Sequence, residues 1–322
     1  MKILIVGDLH LRVRPPRRRR EADFQDVCLG KLRQIIGIGN DRADAVVQVG
    51  DFFDSPDPSK GLLAAVIRDF VEMLGSPRPR WFAVHGQHDL RYHSQEAAGR
   101  SALRVLEAAG CVTILPKKNQ TWEVLERHWP KLGEEIYGAS FGQTPRVLDE
   151  KIGDEFRVLV AHAMVGDKPL WPGHDLTGPE QYVRRHPGYD LYCLGDYHYP
   201  FSVRVGDAWV INPGAVLRLT ADPRDRSRQP KVVLFDTDRG EPEDIPLDAA
   251  PEAEAFDLEG YADGAAADEA KASFSAMAEA LRQTGKLGVN FRENLAAAMD
   301  ELEIGPDVRK KVWMLWERLV VG

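Results

Sequence analysis

Five short apolar segments recur along this 322-residue chain, and each is followed by polar side chains that can bind a metal. Segments of this kind, separated by amphipathic stretches, are typical of buried strands that alternate with helices. The pattern therefore predicts a layered α/β domain. The five segments are KILIVG (2–7), AVVQVG (45–50), RWFAVHG (80–86), FRVLVA (156–161) and DLYCLG (190–195).

Further apolar runs and spacings predict the other helices and strands of this domain. Helical spacing is present from Phe24 to Ile36, from Leu62 to Leu74 and near 97–109. Three more apolar runs predict strands: CVTIL (111–115), AWVI (208–211) and VVLF (232–235).

The residues at the five segment ends share one property, which is that their side chains can bind a metal. Loops at the carboxyl ends of strands in an open α/β sheet converge on one crevice. A single Asp at a strand end is more often a helix N-cap, and a single His is usually a loop residue, but chance does not explain five consecutive ends. We therefore predict a shared site formed by Asp8, His10, Asp51, Asp54, Gln87, His88, His162, Asp196 and His198.

The ligand atoms on offer are all nitrogen or oxygen, and there are more of them than one ion needs. This mixture favours a pair of divalent ions such as Mn²⁺, with Fe²⁺ or Zn²⁺ as alternatives. Two ions about 4 Å apart suit in-line displacement at phosphorus, because together they acidify a water and neutralise charge on the phosphoryl oxygens. The three cysteines show no C-x-x-C spacing, so no thiolate site is predicted.

The chain divides by composition into a domain at 1–245 and a tail at 246–322. The stretch 248–270 is rich in Ala, Asp and Glu and reads as a linker, and the spacing beyond it predicts a small helical module for capping or partner docking. Residues 241–322 carry 18 acidic and 8 basic side chains, whereas residues 1–240 carry 32 acidic and 34 basic ones. The net charge of −8 therefore belongs to the tail and does not exclude a nucleic-acid partner of the first domain. Because no run reaches the roughly 18 apolar residues of a membrane span, and the start lacks signal-peptide features, we predict a cytoplasmic protein with no membrane partner.

Five motifs at the segment ends form a known order. GDLH, GDFFD, GQHD, AHAM and GDYH follow the signature D-x-H, GD, G-N-H-D, H and G-H-x-H, so the chain resembles the calcineurin-like metallophosphoesterases over nearly all of 1–240. Within that superfamily it looks most like the SbcD-type nucleases of DNA double-strand-break repair, through GDLHL, INPGAVLRL (211–219) and the added tail. The resemblance implies a layered β-sandwich core flanked by helices, DNA as substrate, an SbcC-like ATPase docked on the tail, and a homodimer.

The resemblance also implies roles for individual residues. One ion would be held by Asp8, His10, Asp51 and His198. Asp51 would bridge to a second ion, held also by Gln87, His162 and Asp196. A hydroxide between the ions would attack phosphorus, while His88 would steady the phosphoryl group and protonate the leaving oxygen as general acid.

Three residues depart from the family pattern. Gln87 stands where Asn is usual and Asp196 where His is usual, so the second ion is expected to bind with a different affinity or metal preference, or to be lost. Asp54 gives GDxxD, the pattern of the phosphatase branch, in which that Asp would hydrogen-bond His88 and fix its tautomer.

Two arginine-rich segments lie beside the motifs and suit a phosphate backbone. Alternatively, these side chains are only solvated or pair with the acidic tail. Trp171 and His174 either stack on a base or pack their own loop. The predicted DNA contacts are Arg12, Arg14, Arg17, Arg18, Arg19, Arg20, Arg218 and Arg224.

Three functions remain in competition at this point. The first is a metal-dependent DNA nuclease with exo- or endonuclease activity. The second is a small-molecule or protein phosphoesterase of the same superfamily, favoured by Asp54 and by the overall acidity. The third is a non-catalytic metal-binding scaffold, which the altered second site suggests.

Overall fold

The computed structural model describes residues 1–73, 79–115, 134–148, 155–170 and 175–259, together with a few residues between 299 and 314. The chain forms two compact units, Met1–Phe256 and Asp257–Gly322. Most of the predicted tail helices lie outside the described residues, as do Trp171 and His174.

The first unit contains two sheets. In the first sheet, parallel pairing joins four strands, and two antiparallel strands extend one edge: β1 (Lys2–Val6), β2 (Ala45–Gln48), β3 (Arg80–Ala83), β4 (Thr113–Ile114), β10 (Lys231–Asp236) and β11 (Glu241–Pro246), in the order β11-β10-β1-β2-β3-β4. The second sheet has the order β5-β6-β7-β9-β8 and is parallel except for the β8–β9 hairpin: β5 (Glu134–Ala139), β6 (Phe156–His162), β7 (Leu191–Gly195), β8 (Phe201–Val205) and β9 (Ala208–Asn212).

Helices connect and cover these strands. The side chain of Asp23 accepts from the Asp26 amide and so caps the first helix. Among the described helices, none has both the length and the apolar character that a membrane crossing requires. The helices are α1 (Phe24–Arg42), α2 (Lys60–Met73), α3 (Ala102–Ala108), α4 (Pro179–Arg185), α5 (Pro223–Arg226) and α6 (Glu252–Ala255), with 3₁₀ turns at Arg91–His93 and Gln95–Arg100.

The two-residue period of a strand divides β1 between two cores. Ile3 and Ile5 pack with Val158 and Cys193 of the second sheet, so they belong to the core between the sheets. The alternate residues of β1 face the outer core, which contains the buried sides of α1 and α2. A third core lies on the far side of the second sheet. The predicted layered β-sandwich flanked by helices is thus confirmed.

The last residues of the first unit, 247–256, pack against its main body. The Leu247 amide donates to the Pro230 carbonyl at 2.9 Å. Phe256 is buried, and the guanidinium carbons of Arg19 and Arg218 lie 4.7 Å and 5.6 Å from its ring centroid. The first compact unit ends at this buried Phe256, and the predicted domain boundary at 245 stays a prediction.

One ammonium group lies inside this unit. Lys31 of α1 is 7% exposed, and its Nζ has no hydrogen-bond partner within the described part of the chain. Burial, only partly offset by Asp248, lowers the pKa of Lys31 to about 8. A charged form that is disfavoured by burial destabilises the folded state at neutral pH.

Replacement of Lys31 by methionine is therefore expected to stabilise the protein at pH 7 by roughly 1–2 kcal/mol, a value discounted for solvent screening. Because the folded-state pKa lies below the unfolded one, the stability of the wild type should rise between about pH 8 and pH 10.5. The advantage of Lys31→Met should shrink over the same range. Urea unfolding at pH 7 and pH 9.5 measures both effects, and a less stable variant at pH 7 would contradict the explanation.

Candidate metal centre

The predicted ligands lie together because their strands end at the same edges of the two facing sheets. Contacts between them join residues far apart in the chain. The Gln87 amide Nε2 donates to Asp196 Oδ1 at 2.8 Å, and Gln87 Oε1 lies 2.6 Å from His162 Nε2. The structure thus brings the ends of β3, β6 and β7 to one point.

One group of ligand atoms surrounds His10. Its Nε2 lies 3.1 Å from His198 Nε2 and 3.8 Å from Asp51 Oδ2. His198 Nε2 is in turn 3.7 Å from Asp8 Oδ2. Ligand atoms of Asp8, His10 and His198 all lie within 4.8 Å of one another, as do those of His10, Asp51 and His88. These are the residues that the sequence assigned to a first ion, with His88 beside them.

A second group surrounds His162. Its Nε2 lies 3.5 Å from Asp51 Oδ2 and 3.9 Å from Asp196 Oδ1. The same oxygen of Asp51 therefore approaches both groups, which is the position a bridging carboxylate would take.

Several buried polar atoms at this point are left without a partner. Within the described residues, Asp8 Oδ1 and Asp51 Oδ2 are buried and accept no hydrogen bond. A buried acceptor without a donor is destabilising, on the order of 1–3 kcal/mol or more for a charged group. Facing nitrogens on His10 and His198 and these orphaned oxygens form a nitrogen and oxygen donor set that fits a divalent cation.

The hydrogen bonds of His162 lead to the same conclusion. Its Nδ1 donates to the Val49 carbonyl at 2.7 Å, so in the neutral ring Nε2 would face the Gln87 oxygen with a lone pair against a lone pair. A positive charge at Nε2, proton or cation, relieves this conflict. Burial lowers the pKa of His162, but Asp51 and Asp8 outweigh it and raise the pKa well above its ordinary value.

Burial sets the protonation of the other ligands. It lowers the pKa of His10 and of His198, so both rings are neutral and their nitrogens can bind a cation. Burial raises the pKa of Asp8 well above its usual range. It would also raise the pKa of Asp51, but the neighbouring His162 charge reverses the shift and holds that pKa low.

Three of the predicted ligands have left-handed backbone. The φ angles are +45° at His10, +49° at Asp51 and +81° at Asp196. Such conformations cost roughly 1–3 kcal/mol each in non-glycine residues and persist only where the surroundings enforce them. Glycines allow the close approach: a Cβ at Gly50 would overlap the His162 ring, and one at Gly86 the Asp51 carboxylate.

Asp89 has a role that the sequence analysis missed. Its buried carboxylate accepts hydrogen bonds from the amides of Phe52, Phe53 and Gly86 at 3.2, 3.1 and 2.9 Å. It therefore ties the loop after β2 to the loop after β3. Burial, with Asp51 adding to it, raises the pKa of Asp89 to about 7. The sequence offered one indication of this role, because Asp89 is the last residue of the GQHD motif.

A buried ion pair supports the other side of the site. Arg228 contacts Asp225 at 3.0 Å and donates to the carbonyls of Ala215 and Leu217. The intervening Val216 amide donates to the Asp8 carbonyl at 2.8 Å. The segment INPGAVLRL is thus a brace for the loop that carries Asp8.

His88 is held by main-chain groups. Its amide donates to Asp51 Oδ1 at 2.8 Å, and its Nδ1 lies 3.0 Å from the Asp54 carbonyl oxygen. The Asp54 carboxylate instead accepts from Arg12 at 2.8 Å. The predicted link between Asp54 and His88 is therefore made by the carbonyl and not by the carboxylate. With Nδ1–H engaged there, Nε2 is the nitrogen that can exchange a proton with a ligand.

The arginines predicted to bind DNA separate into two sets. Arg19 and Arg218 lie inside: Arg19 donates to the Arg218 carbonyl at 2.8 Å, and Arg218 donates to the Arg226 carbonyl at 2.8 Å. Both flank Phe256, so we withdraw them from the predicted DNA contacts, since a guanidinium fixed to interior carbonyls cannot reach a phosphate. Arg12 is paired with Asp54. The side chains that remain at the surface are Arg14, Arg17, Arg18, Arg20 and Arg224, of which Arg18 is half-buried.

The two departures at the second group contact each other, which suggests that they compensate. We expect Gln87→Asn, or Asp196→His, to break the 2.8 Å hydrogen bond and weaken an ion held there about 10- to 100-fold. The double variant should bind that ion more tightly than the two single losses would predict. Calorimetric titration of the four proteins with Mn²⁺ measures this coupling, and additive losses would contradict it.

Comparisons with known proteins agree with the motifs. A family model described as calcineurin-like phosphoesterase matches residues 1–200. The DNA double-strand break repair protein Mre11 of Methanosarcina mazei is 24% identical over 231 residues, which cover 70% of this chain and 35% of that protein. The chain thus spans about a third of the length of this curated relative.

Solved structures that match part of the chain include an archaeal phosphodiesterase, at 18% identity and a TM-score of 0.34, over 77% of this chain and 100% of that one. Another is Vps29 of Entamoeba histolytica in complex with zinc, at 15% identity and a TM-score of 0.33, over 77% of this chain and 99% of that one.

Proposed function

The chain belongs to the calcineurin-like phosphoesterase family, and from that premise we propose that it is a two-metal phosphodiester hydrolase that acts on DNA, as an SbcD-like nuclease. The observation that carries the hydrolase proposal is the approach of one Asp51 oxygen to two separate groups of ligand atoms. DNA as substrate is supported by the repair protein Mre11 among its relatives.

The proposed ligand sets share Asp51. One ion would be held by Asp8, His10, Asp51 and His198, and the other by Asp51, Gln87, His162 and Asp196. Divalent ions, with Mn²⁺ favoured, supply an acidified water and neutralise charge on the phosphoryl group when bound.

The protein's own contribution to proton transfer is assigned to His88. The Asp54 carbonyl orients the ring through Nδ1, and the His10 ring packs against it edge to face with centroids 4.9 Å apart. Nε2 then faces the reacting phosphate and delivers a proton to the leaving oxygen.

Surface arginines would guide a phosphate backbone toward this centre. Arg14, Arg17 and Arg20 follow the first motif in the chain. Arg224 follows the last motif, and its guanidinium lies 4.1 Å from the centroid of the Tyr199 ring. An SbcC-like ATPase docked on the small helical module predicted within 246–322 and a homodimer belong to the same proposal.

A small-molecule or protein phosphoesterase is the second candidate. Asp54 favours it, because its carboxylate engages Arg12 and leaves that guanidinium less available for a passing phosphate. Incubation of the full chain and Mn²⁺ with labelled single- and double-stranded DNA, and separately with a chromogenic phosphodiester, distinguishes the two. Metal-dependent DNA cleavage supports the nuclease. Hydrolysis of the chromogenic ester alone supports the second candidate.

A further inference from the structure

An exposed aromatic side chain lies shortly after the third metal motif. Tyr92 is 94% exposed, the highest value among the large hydrophobic side chains in the described part of the chain. Its φ is +57°, and that of His93 is +52°. Left-handed backbone is unfavourable for a bulky residue, so the loop keeps Tyr92 outside at a conformational cost.

The loop around Tyr92 is fixed at both ends. On the near side, Leu90 is buried, and Asp89 is bound by three amides. On the far side, Gln95 Nε2 donates to the Phe141 carbonyl at 2.5 Å, and within the loop the His93 amide donates to the Leu90 carbonyl at 3.1 Å. Arg91 pairs with Asp57 at 2.5 Å and so joins the loop to the segment after the second motif. The ring therefore projects from a defined support.

This support lies close to the metal centre. Tyr92 follows His88 by four residues, which at full extension span about 14 Å. The Phe141 ring lies 6.2 Å from the ring of His93 and 6.4 Å from the ring of His162, measured between centroids. A single ring thus separates the loop from a predicted ligand.

We propose that Tyr92 stacks on a nucleotide base next to the phosphodiester that is cleaved. The inference rests on the proposed DNA function and extends it, because it names how the substrate is positioned. A rigid aromatic ring in water, four residues after His88 and near a proposed phosphoester site, is suited to base stacking, which tolerates any sequence. A phosphodiester substrate without bases would not be bound more tightly by the Tyr92 ring.

The test compares Tyr92→Ala and Tyr92→Phe, assayed as full-length protein with Mn²⁺. On a single-stranded oligonucleotide, the alanine variant should raise KM about 5- to 140-fold, which corresponds to about 1–3 kcal/mol at 1.4 kcal/mol per tenfold change. Phenylalanine keeps the ring and should stay within about twofold of the wild type. Hydrolysis of the chromogenic phosphodiester should be unchanged in both. Val71→Ala, at an exposed position on α2, is the matched control and should change neither substrate.

Oligonucleotides with one abasic position, moved along the strand, locate the stacked base. An abasic position at that nucleotide should weaken the wild type and leave Tyr92→Ala unaffected. If the wild type cleaves DNA and Tyr92→Ala has the same KM, the stacking proposal is overturned and the exposed ring is open to a protein contact. If the wild type hydrolyses only the chromogenic ester, the DNA function itself fails, and the stacking role fails with it.

Discussion

Replacement of His88 by alanine is expected to lower kcat for DNA cleavage by about 10²- to 10⁴-fold while the metal content stays that of the wild type. In the proposed mechanism the imidazole supplies a proton to the leaving oxygen, and no ligand role is assigned to it. The hydrogen bond from the His88 main-chain amide to Asp51 does not involve the imidazole, so alanine retains it. Elemental analysis of the purified variant, beside single-turnover cleavage, separates loss of the acid from loss of a metal.

A change of leaving group makes this result specific to proton transfer. An ester with a nitrophenolate leaving group needs little protonation, so His88→Ala should lose much less activity on it than on DNA. His93→Asn, in the same loop and fully outside the proposed proton path, is the matched control and should leave turnover on the chromogenic ester unchanged. Equal losses on both substrates would remove the general-acid role from His88.

Replacement of Asp51 by asparagine is expected to abolish stabilisation by metal as well as activity. In the wild type, Mn²⁺ at about 100 times its Kd should add about 2.7 kcal/mol to the free energy of unfolding, and removal with a chelator should reverse this. Asparagine preserves the acceptor for the His88 amide, but it removes the charge of the oxygen that approaches both groups. We therefore expect Asp51→Asn to show no rise in Tm with Mn²⁺ and at least a 10³-fold loss of kcat.

The control for this experiment is Asp207→Asn, which removes an exposed carboxylate at the β8–β9 turn. It should retain both the Mn²⁺-dependent rise in Tm and the activity. If Asp51→Asn also retained the metal-dependent stabilisation, Asp51 would not be the shared ligand.

The grouping of these side chains could be predicted because each predicted ligand follows a buried strand. Parallel strands that leave a sheet at one edge bring their next residues together, so chain order was enough to group the ends of β1, β2 and β3 in one sheet and those of β6 and β7 in the other. That the two sheets face each other and join these groups is seen only in the structure. The hydrogen bonds that orient the ligands could not be predicted in this way. The contact to His88 is made by the Asp54 carbonyl and not by the predicted carboxylate. Residue identity does not reveal this, because it carries no information on main-chain geometry.

The edge strands β8 and β11 were not predicted, for a different reason, whereas the edge strand β4 lies within the predicted run CVTIL. β11 reads EPEDIP, is mostly exposed and contains two prolines, so neither apolar alternation nor strand propensity marks it. It forms because β10 offers it a complete antiparallel partner. β8 has only one strand beside it, β9, and is similarly set by its hairpin.

The arginines show where charge alone misleads. Arg19 and Arg218 belong to runs that look like a phosphate-binding surface, but both guanidiniums pack against Phe256. That aromatic residue lies in the Ala/Asp/Glu-rich stretch that composition identified as a linker. The contact between Arg19 and Phe256 joins segments more than 200 residues apart in the chain. Such a long-range contact is visible only in the structure.

Left-handed backbone at His10, Asp51 and Asp196 limits which amino acids these positions can accept without strain. Asp, Asn and His are the non-glycine residues that tolerate this conformation best, and they are also oxygen and nitrogen donors. At such a position, an exchange among these three keeps the main chain in place while it alters the charge beside the ion. Asp196, which stands where the family signature has histidine, therefore changes the charge beside a bound ion without any rebuilding of the loop.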